Sequence, residues 1–78
     1  MIITVTKKDI EEGKSNERYG CPIALAIERA TSKRVRVNCG SLHVPRGKTI
    51  THTWKVAEFI FRFDRHLQVE PFSFEIDL

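Results

Sequence analysis

An apolar stripe at helical spacing in the second half of the chain sets the strongest limit on the fold. Its members recur at steps of three and four residues: Val56, Phe59, Ile60, Phe63 and Leu67. The stripe predicts an amphipathic helix that is capped by Thr53 and ends near His66. A helix with one apolar face needs a layer to cover it, so the architecture depends on what the remaining segments form.

A second helix is predicted to begin at Cys21-Pro22, because proline is favoured at the first helical position. The apolar residues that follow repeat at helical spacing: Ile23, Ala26, Ile27 and Ala30. The small alanines indicate close packing of this helix on a sheet. Before it, we predict a single helical turn that begins at Thr6 or Asp9 and ends at Gly13.

The other segments have the composition or the alternation of β-strands. Residues 1–6 are rich in β-branched side chains, and within residues 33–38 Val35 and Val37 share one face while Arg34 and Arg36 share the other. Short strands are also predicted at 41–44 and 49–52. In the last strand, apolar residues alternate with polar ones: Phe72, Phe74, Ile76 and Leu78.

The order β-α-β-β-(β)-α-β predicts an α+β fold. We expect a small single-layer antiparallel or mixed sheet of four to five strands, with two helices on one face. The chain has 78 residues, enough for a single domain that spans 1–78. In this arrangement the side chains of Arg34 and Arg36 point outward from the sheet, and so does that of His43 in the strand at 41–44.

Charge is distributed unevenly along the chain. Residues 29–55 hold seven basic side chains and no acidic one. Residues 1–28 hold four basic and five acidic side chains, and residues 58–78 hold two basic and five acidic ones. The formal net charge of +3 therefore conceals a segment of +7, whose field favours an anionic partner.

The basic segment predicts an anion-binding or partner-binding surface. The residues expected to form it are Arg34, Arg36, Arg46, Lys48 and His43. Nucleic-acid phosphate, a nucleotide or an acidic protein surface would each be attracted to them. The alternative is a solvated face whose charges pair with the acidic flanks.

Three aromatic residues lie outside the predicted core stripe. Trp54 and Phe61 are seven residues apart and share a second helical face. Either they form an exposed patch for a partner or a homodimer, or one core encloses both stripes. We prefer the single core, which is the simpler interpretation. Tyr19, in the loop before Cys21, either stacks on a base or a partner or packs at the loop edge.

Patterns typical of enzymes and cofactor sites are not found in the sequence. The four glycines match no phosphate-binding loop. Cys39 and His43 are one short-spaced pair, whereas structural zinc sites use two. Cys21 at a helix start is expected to have a lowered pKa, but no catalytic partner lies at a characteristic spacing. We therefore expect no enzyme activity, no metal and no cofactor.

The chain is expected to be cytosolic and to have no contact with a membrane. Its apolar runs are shorter than the roughly 18 residues that span a bilayer. Residues 1–6 lack the basic and apolar regions of a signal peptide. In that compartment we expect Cys21 and Cys39 to stay reduced.

Several segments together resemble a group of small, mostly uncharacterised bacteriophage accessory proteins. The similar segments are 3–6 (ITVT), 9–13 (DIEEG), 21–27 (CPIALAI), 56–64 (VAEFIFRFD) and 69–75 (VEPFSFE), while 33–52 is least alike. The resemblance implies a viral accessory protein that acts in the cytoplasm of an infected bacterium. It implies no activity and no functional residues.

Two functions follow as hypotheses. The first is a non-enzymatic phage protein that blocks or sequesters a host component through its basic surface. That component would be a defence or regulatory protein, or its nucleotide signal. The second is an accessory or regulatory protein that binds nucleic acid through phosphate contacts from Arg34, Arg36, Arg46 and Lys48. A homodimer is compatible with either.

Overall fold

The computed structural model describes residues 1–77. Its five strands are β1 (Ile2–Val5), β2 (Arg36–Val37), β3 (Ser41–Val44), β4 (Lys48–Thr51) and β5 (Phe72–Glu75). Its three helices are α1 (Lys7–Glu12), α2 (Pro22–Thr31) and α3 (Trp54–Asp64). The predicted α+β class is confirmed. The last residue of the predicted final strand, Leu78, lies outside the described residues.

The strands pair antiparallel in two sheets rather than in one. β1 pairs with β5, with Ile3 opposite Phe74, and the second sheet has the order β2-β3-β4. Side chains of both sheets, including Ile50 and Phe74, line a narrow cavity of about 30 Å³. Apolar side chains of the two sheets therefore face each other across this cavity, and the sheets share no ladder of backbone hydrogen bonds among the described strands.

Helix α1 is the short helix predicted between Thr6 and Gly13. Thr6 is its N-cap: the Asp9 N–H donates to Thr6 Oγ1, and the Thr6 N–H donates to Asp9 Oδ2. This reciprocal capping box satisfies two backbone donors that the first turn would leave unpaired. At the other end, the Gly13 N–H donates to the Asp9 carbonyl over 2.8 Å.

Helix α2 packs against β1 as predicted, except that Ala30, the last residue of the predicted apolar face, is exposed. Ile23, Ala26 and Ile27 are buried, and Cys21 is the N-cap that precedes Pro22. The expected lowering of the Cys21 pKa is wrong. Burial raises the pKa of this thiol, and the hydrogen bond that its Sγ accepts from the Ala24 N–H does not offset the lost solvation.

Helix α3 buries most of the predicted stripe but ends earlier than predicted. Val56, Phe59 and Ile60 are buried, and the Phe59 ring lies 5.0 Å from the ring of Phe72. The helix ends at Asp64, and His66 takes a left-handed conformation with a φ of 59°. Because of this turn Leu67 leaves the stripe and stays exposed.

Candidate functional site

The outer face of the three-stranded sheet carries a polar row across its strands. Arg36 in β2 is paired with His43 in β3, which is paired with Thr49 in β4. Directly paired residues project on the same face, so these three side chains lie side by side. Val37 and Leu42 are buried on the opposite face. The outward orientation predicted for Arg36 and His43 is therefore confirmed.

The guanidinium of Arg36 has an unused hydrogen-bond donor. Its Nε atom is shielded from solvent, and no group among residues 1–77 accepts a hydrogen bond from it. A buried N–H without a partner costs about 1–3 kcal/mol, and a ligand oxygen could remove that cost only if the groups that shield the Nε moved aside. Within the same row, His43 Nδ1 is already 2.9 Å from Thr49 Oγ1.

The loop before α2 brings an aromatic ring to the edge of this sheet. The Val37 N–H donates to the Arg18 carbonyl over 2.8 Å, which holds the loop along β2. The guanidinium carbon of Arg34 lies 4.3 Å from the centre of the Tyr19 ring, a cation–π distance. The sequence predicted Tyr19 and Arg34 as separate sites, and the structure joins them. We call Tyr19, Arg34 and Arg36 the arginine–tyrosine cluster.

Arg36 is the member of the cluster that lines an open cavity of about 560 Å³, between the loop, β2 and the end of α3. Hydrogen-bond donors and two carboxylates line it: Asn16, Arg18, Arg36, Asn38, Glu17 and Asp64. One oxygen of Asp64 already accepts from the Asn16 N–H over 3.0 Å. Arginines can hold a phosphate or carboxylate through paired N–H donors. Arg18 was not predicted from the sequence, although its position next to Tyr19 was a usable signal.

The other two basic residues predicted for this surface lie elsewhere. Lys48 is paired with Val44, one position along from His43, so its side chain projects on the opposite face. There its Nζ donates to the carbonyl of Asp77 over 3.1 Å. Arg46 sits at the exposed tip of the β3–β4 turn with a φ of 72°. The structure thus separates both residues from the arginine–tyrosine cluster.

The acidic flanks neutralise little of the basic segment. Of its seven cations, Arg29 forms an ion pair with Asp9. The other six make no ion pair with an acidic side chain among residues 1–77. The alternative in which the basic segment pairs with the flanks therefore holds for Arg29 alone.

The two aromatic residues on the second face of α3 are exposed. Trp54 keeps 73% of its surface accessible and Phe61 keeps 51%. The preferred prediction, a single core that encloses both stripes, is therefore wrong. The reason is that the core contacts one side of the helix, where Val56, Phe59 and Ile60 are buried, and Trp54 and Phe61 lie on the opposite side. Arg65 lies over the Phe61 ring, with 3.7 Å between its guanidinium carbon and the ring centre.

Comparison with known proteins adds no family to these observations. The chain matches no protein-family model, no curated protein and no solved structure. Among residues 1–77, no three His, Cys, Asp or Glu side chains lie close enough together to hold a metal ion. No helix in the same range has the length and apolar character needed to cross a membrane.

Proposed function

We propose that this protein is a non-enzymatic binding protein that sequesters a phosphate-bearing host component through the arginine–tyrosine cluster. The observation that carries the proposal is the Arg36 Nε donor, which is buried and has no partner within residues 1–77. A folded protein keeps such a donor at a cost, and the same side chain lines an open cavity in which its guanidinium could bind an anion. Phosphate oxygens are strong acceptors for arginine.

The chemistry around Arg36 favours a ligand that has a planar base as well as a phosphate. Tyr19 keeps 43% of its surface accessible beside the Arg34 guanidinium. Aromatic rings and arginine planes are the groups on which nucleobases stack. A nucleotide used by the host as a signal has both parts, and its phosphate would lie in the open cavity that Arg36 lines.

The biological role we propose is stoichiometric capture in the cytoplasm of an infected bacterium. The resemblance of several segments to phage accessory proteins supports this setting. A protein that binds a defence signal lowers its free concentration by mass action and needs no catalytic group. A host regulatory protein with a phosphorylated or acidic surface is the other component that this site could capture.

Single-stranded nucleic acid is a second candidate ligand. The row of Arg36, His43 and Thr49 extends the site across three strands of an open sheet face. A strand that contacts about three cations would show a salt slope of about −2, because each phosphate contact with a single strand contributes about 0.7. Duplex recognition is less favoured, since no helix within residues 1–77 presents a basic face for the major groove.

Native mass spectrometry of the protein, gently purified from a bacterial host, tests the proposal. Added mass of hundreds of daltons identifies a nucleotide, and added mass of kilodaltons identifies a protein or an oligonucleotide. The bare chain, together with no salt-dependent binding of nucleotides or single strands by the purified protein, contradicts the proposal. Substitution Tyr19→Ala should weaken nucleotide binding more than Tyr19→Phe, because only the first removes the ring.

A further inference from the structure

Helix α3 presents a second stripe on the side away from the core. Four exposed positions form it: Trp54, Glu58 and Phe61 in the helix, and Arg65, the residue that follows its last turn as the C-cap. At 100° per residue these positions fall within about 60° of one another around the helix axis. The stripe points directly away from Val56 and Phe59, which are buried. It is separate from the arginine–tyrosine cluster.

The two aromatic residues in this stripe expose an unusual area for so small a protein. Burial of a Trp or Phe removes about 150–250 Å² from water. With 73% of Trp54 and 51% of Phe61 accessible, roughly 250–300 Å² of aromatic surface per copy faces solvent. Two such patches in contact would supply about half of the roughly 1,000 Å² that a specific interface requires.

The charges in the stripe make it complementary to itself. Glu58 precedes Phe61 by three residues, and Arg65 follows it by four, so the acid and the base lie about 10 Å apart along the axis. Neither forms an ion pair with another side chain among residues 1–77. When a second copy of the helix runs antiparallel about a two-fold axis near Phe61, each Glu58 meets the Arg65 of its partner.

Two contacts prepare the centre of the stripe for this pairing. Arg65 is held over the Phe61 ring, and its Nη1 donates to the Phe61 carbonyl over 3.4 Å. In such a pair the Arg62 side chains of the two copies would lie near each other at the two-fold axis. The Nε of Arg62 instead donates to the carbonyl of Gln68 over 3.1 Å. This hydrogen bond directs the Arg62 guanidinium of each copy away from the two-fold axis.

We propose that the protein forms a two-fold homodimer in which α3 packs antiparallel on α3 of a second copy. The occupant of the aromatic stripe is thus another copy of this chain. The proposal rests on the α3 surface alone and does not depend on the proposed ligand. Because the contact area is small, we expect a dissociation constant in the micromolar range or weaker.

Charge exchange tests the pairing directly. Sedimentation equilibrium over micromolar to near-millimolar concentrations should show a monomer–dimer equilibrium for the wild type. Each of Glu58→Arg and Arg65→Glu places two like-charge contacts in the dimer, and we expect about a tenfold weaker association. The double variant restores both pairs with reversed sign and should return to within about threefold of the wild type.

Matched controls separate this contact from effects on the fold. Glu28→Arg makes the same change of charge on an exposed site of α2 and should leave the dimer unchanged. Phe61→Ala removes the ring at the axis and should abolish the dimer, while circular dichroism reports the helix content. A wild type that remains monomeric throughout overturns the proposal. So does a dimer in which the double variant is no stronger than the single ones.

Discussion

The guanidinium of Arg29 in α2 donates two hydrogen bonds to the carboxylate of Asp9 in α1. Its Nη1 bonds Oδ1, and its Nη2 lies 2.9 Å from Oδ2. The same Nη2 also lies 2.8 Å from the carbonyl oxygen of Thr4. These hydrogen bonds join β1 and both helices. Asp9 is only 4% exposed, so its carboxylate lies at the edge of the core.

Substitution Arg29→Met should destabilise the protein by about 2 kcal/mol at neutral pH, because it leaves a buried carboxylate without its cation. We place the cost below the usual range for buried pairs, since the Arg29 side chain is half exposed to water. Urea unfolding measures the change. Lys33→Met, which removes an exposed charge outside this pair, should change the free energy of unfolding by less than about 0.5 kcal/mol.

The same pair predicts how stability depends on pH. Burial alone would raise the pKa of Asp9, but the hydrogen bonds from Arg29 and Thr6 outweigh it and leave the pKa below its ordinary value. The contribution of this carboxylate is therefore complete above the unfolded pKa of about 3.9 and is lost as the pH falls through the folded pKa. In Arg29→Met the buried Asp9 lacks its cation and protonates at a higher pH than in the wild type, so the difference in stability between the two should already begin to shrink above pH ~4. A difference that stays constant down to pH ~2.5 would show that the pair is not responsible.

Gly13 is predicted to be intolerant of any side chain. A Cβ atom there would lie 2.6 Å from both Cγ and Cδ of Pro22 and 2.8 Å from the Asp9 carbonyl oxygen. Gly13→Ala should therefore cost about 1–3 kcal/mol of stability, because neither backbone nor a proline ring can move away easily. Gly40→Ala is the matched control, since a Cβ at Gly40 meets nothing within 4 Å. Equal melting temperatures for the two variants would refute the close approach of α1 and α2.

The two cysteines should differ in reactivity. Cys21 is buried and its pKa is raised by burial, while Cys39 is exposed at the edge of the cavity. Because the thiolate is the reactive form, iodoacetamide at neutral pH should label the native protein once, at Cys39. Both residues should be labelled in urea, and peptide mass mapping assigns the sites. Rapid labelling of Cys21 in the native state would contradict its burial.

The periodic parts of the fold could be predicted from the sequence. The short helix before Gly13, the proline start at Pro22 and the stripe from Val56 each follow from local chemistry, and each is present in the structure. Of the two starts left open for the short helix, the structure has Thr6, with Asp9 as its capping partner. The end of α3 was misplaced because the left-handed conformation of His66 interrupts an apolar pattern that continues to Leu67.

The composition of the candidate site could be predicted only in part. Arg36 and His43 were assigned to the outer face because alternation along a strand is a local property. Lys48 was grouped with them wrongly, since its face depends on the register in which β4 pairs with Val44 of β3. The contact between Tyr19 and Arg34 joins residues that are fifteen positions apart, and it depends on where the loop runs along β2.

The most direct test of ligand binding by the arginine–tyrosine cluster compares two single-charge variants in one binding assay. Fluorescence anisotropy would measure the affinity of a fluorescent ATP analogue and of a labelled single strand for wild type, Arg36→Gln and Lys48→Gln. Both variants lose one positive charge from the same sheet, but on opposite faces. We expect Arg36→Gln to weaken binding at least about tenfold, while the affinity of Lys48→Gln stays within about twofold of the wild type. Equal losses in both variants, or no binding by the wild type, would contradict ligand binding by this cluster.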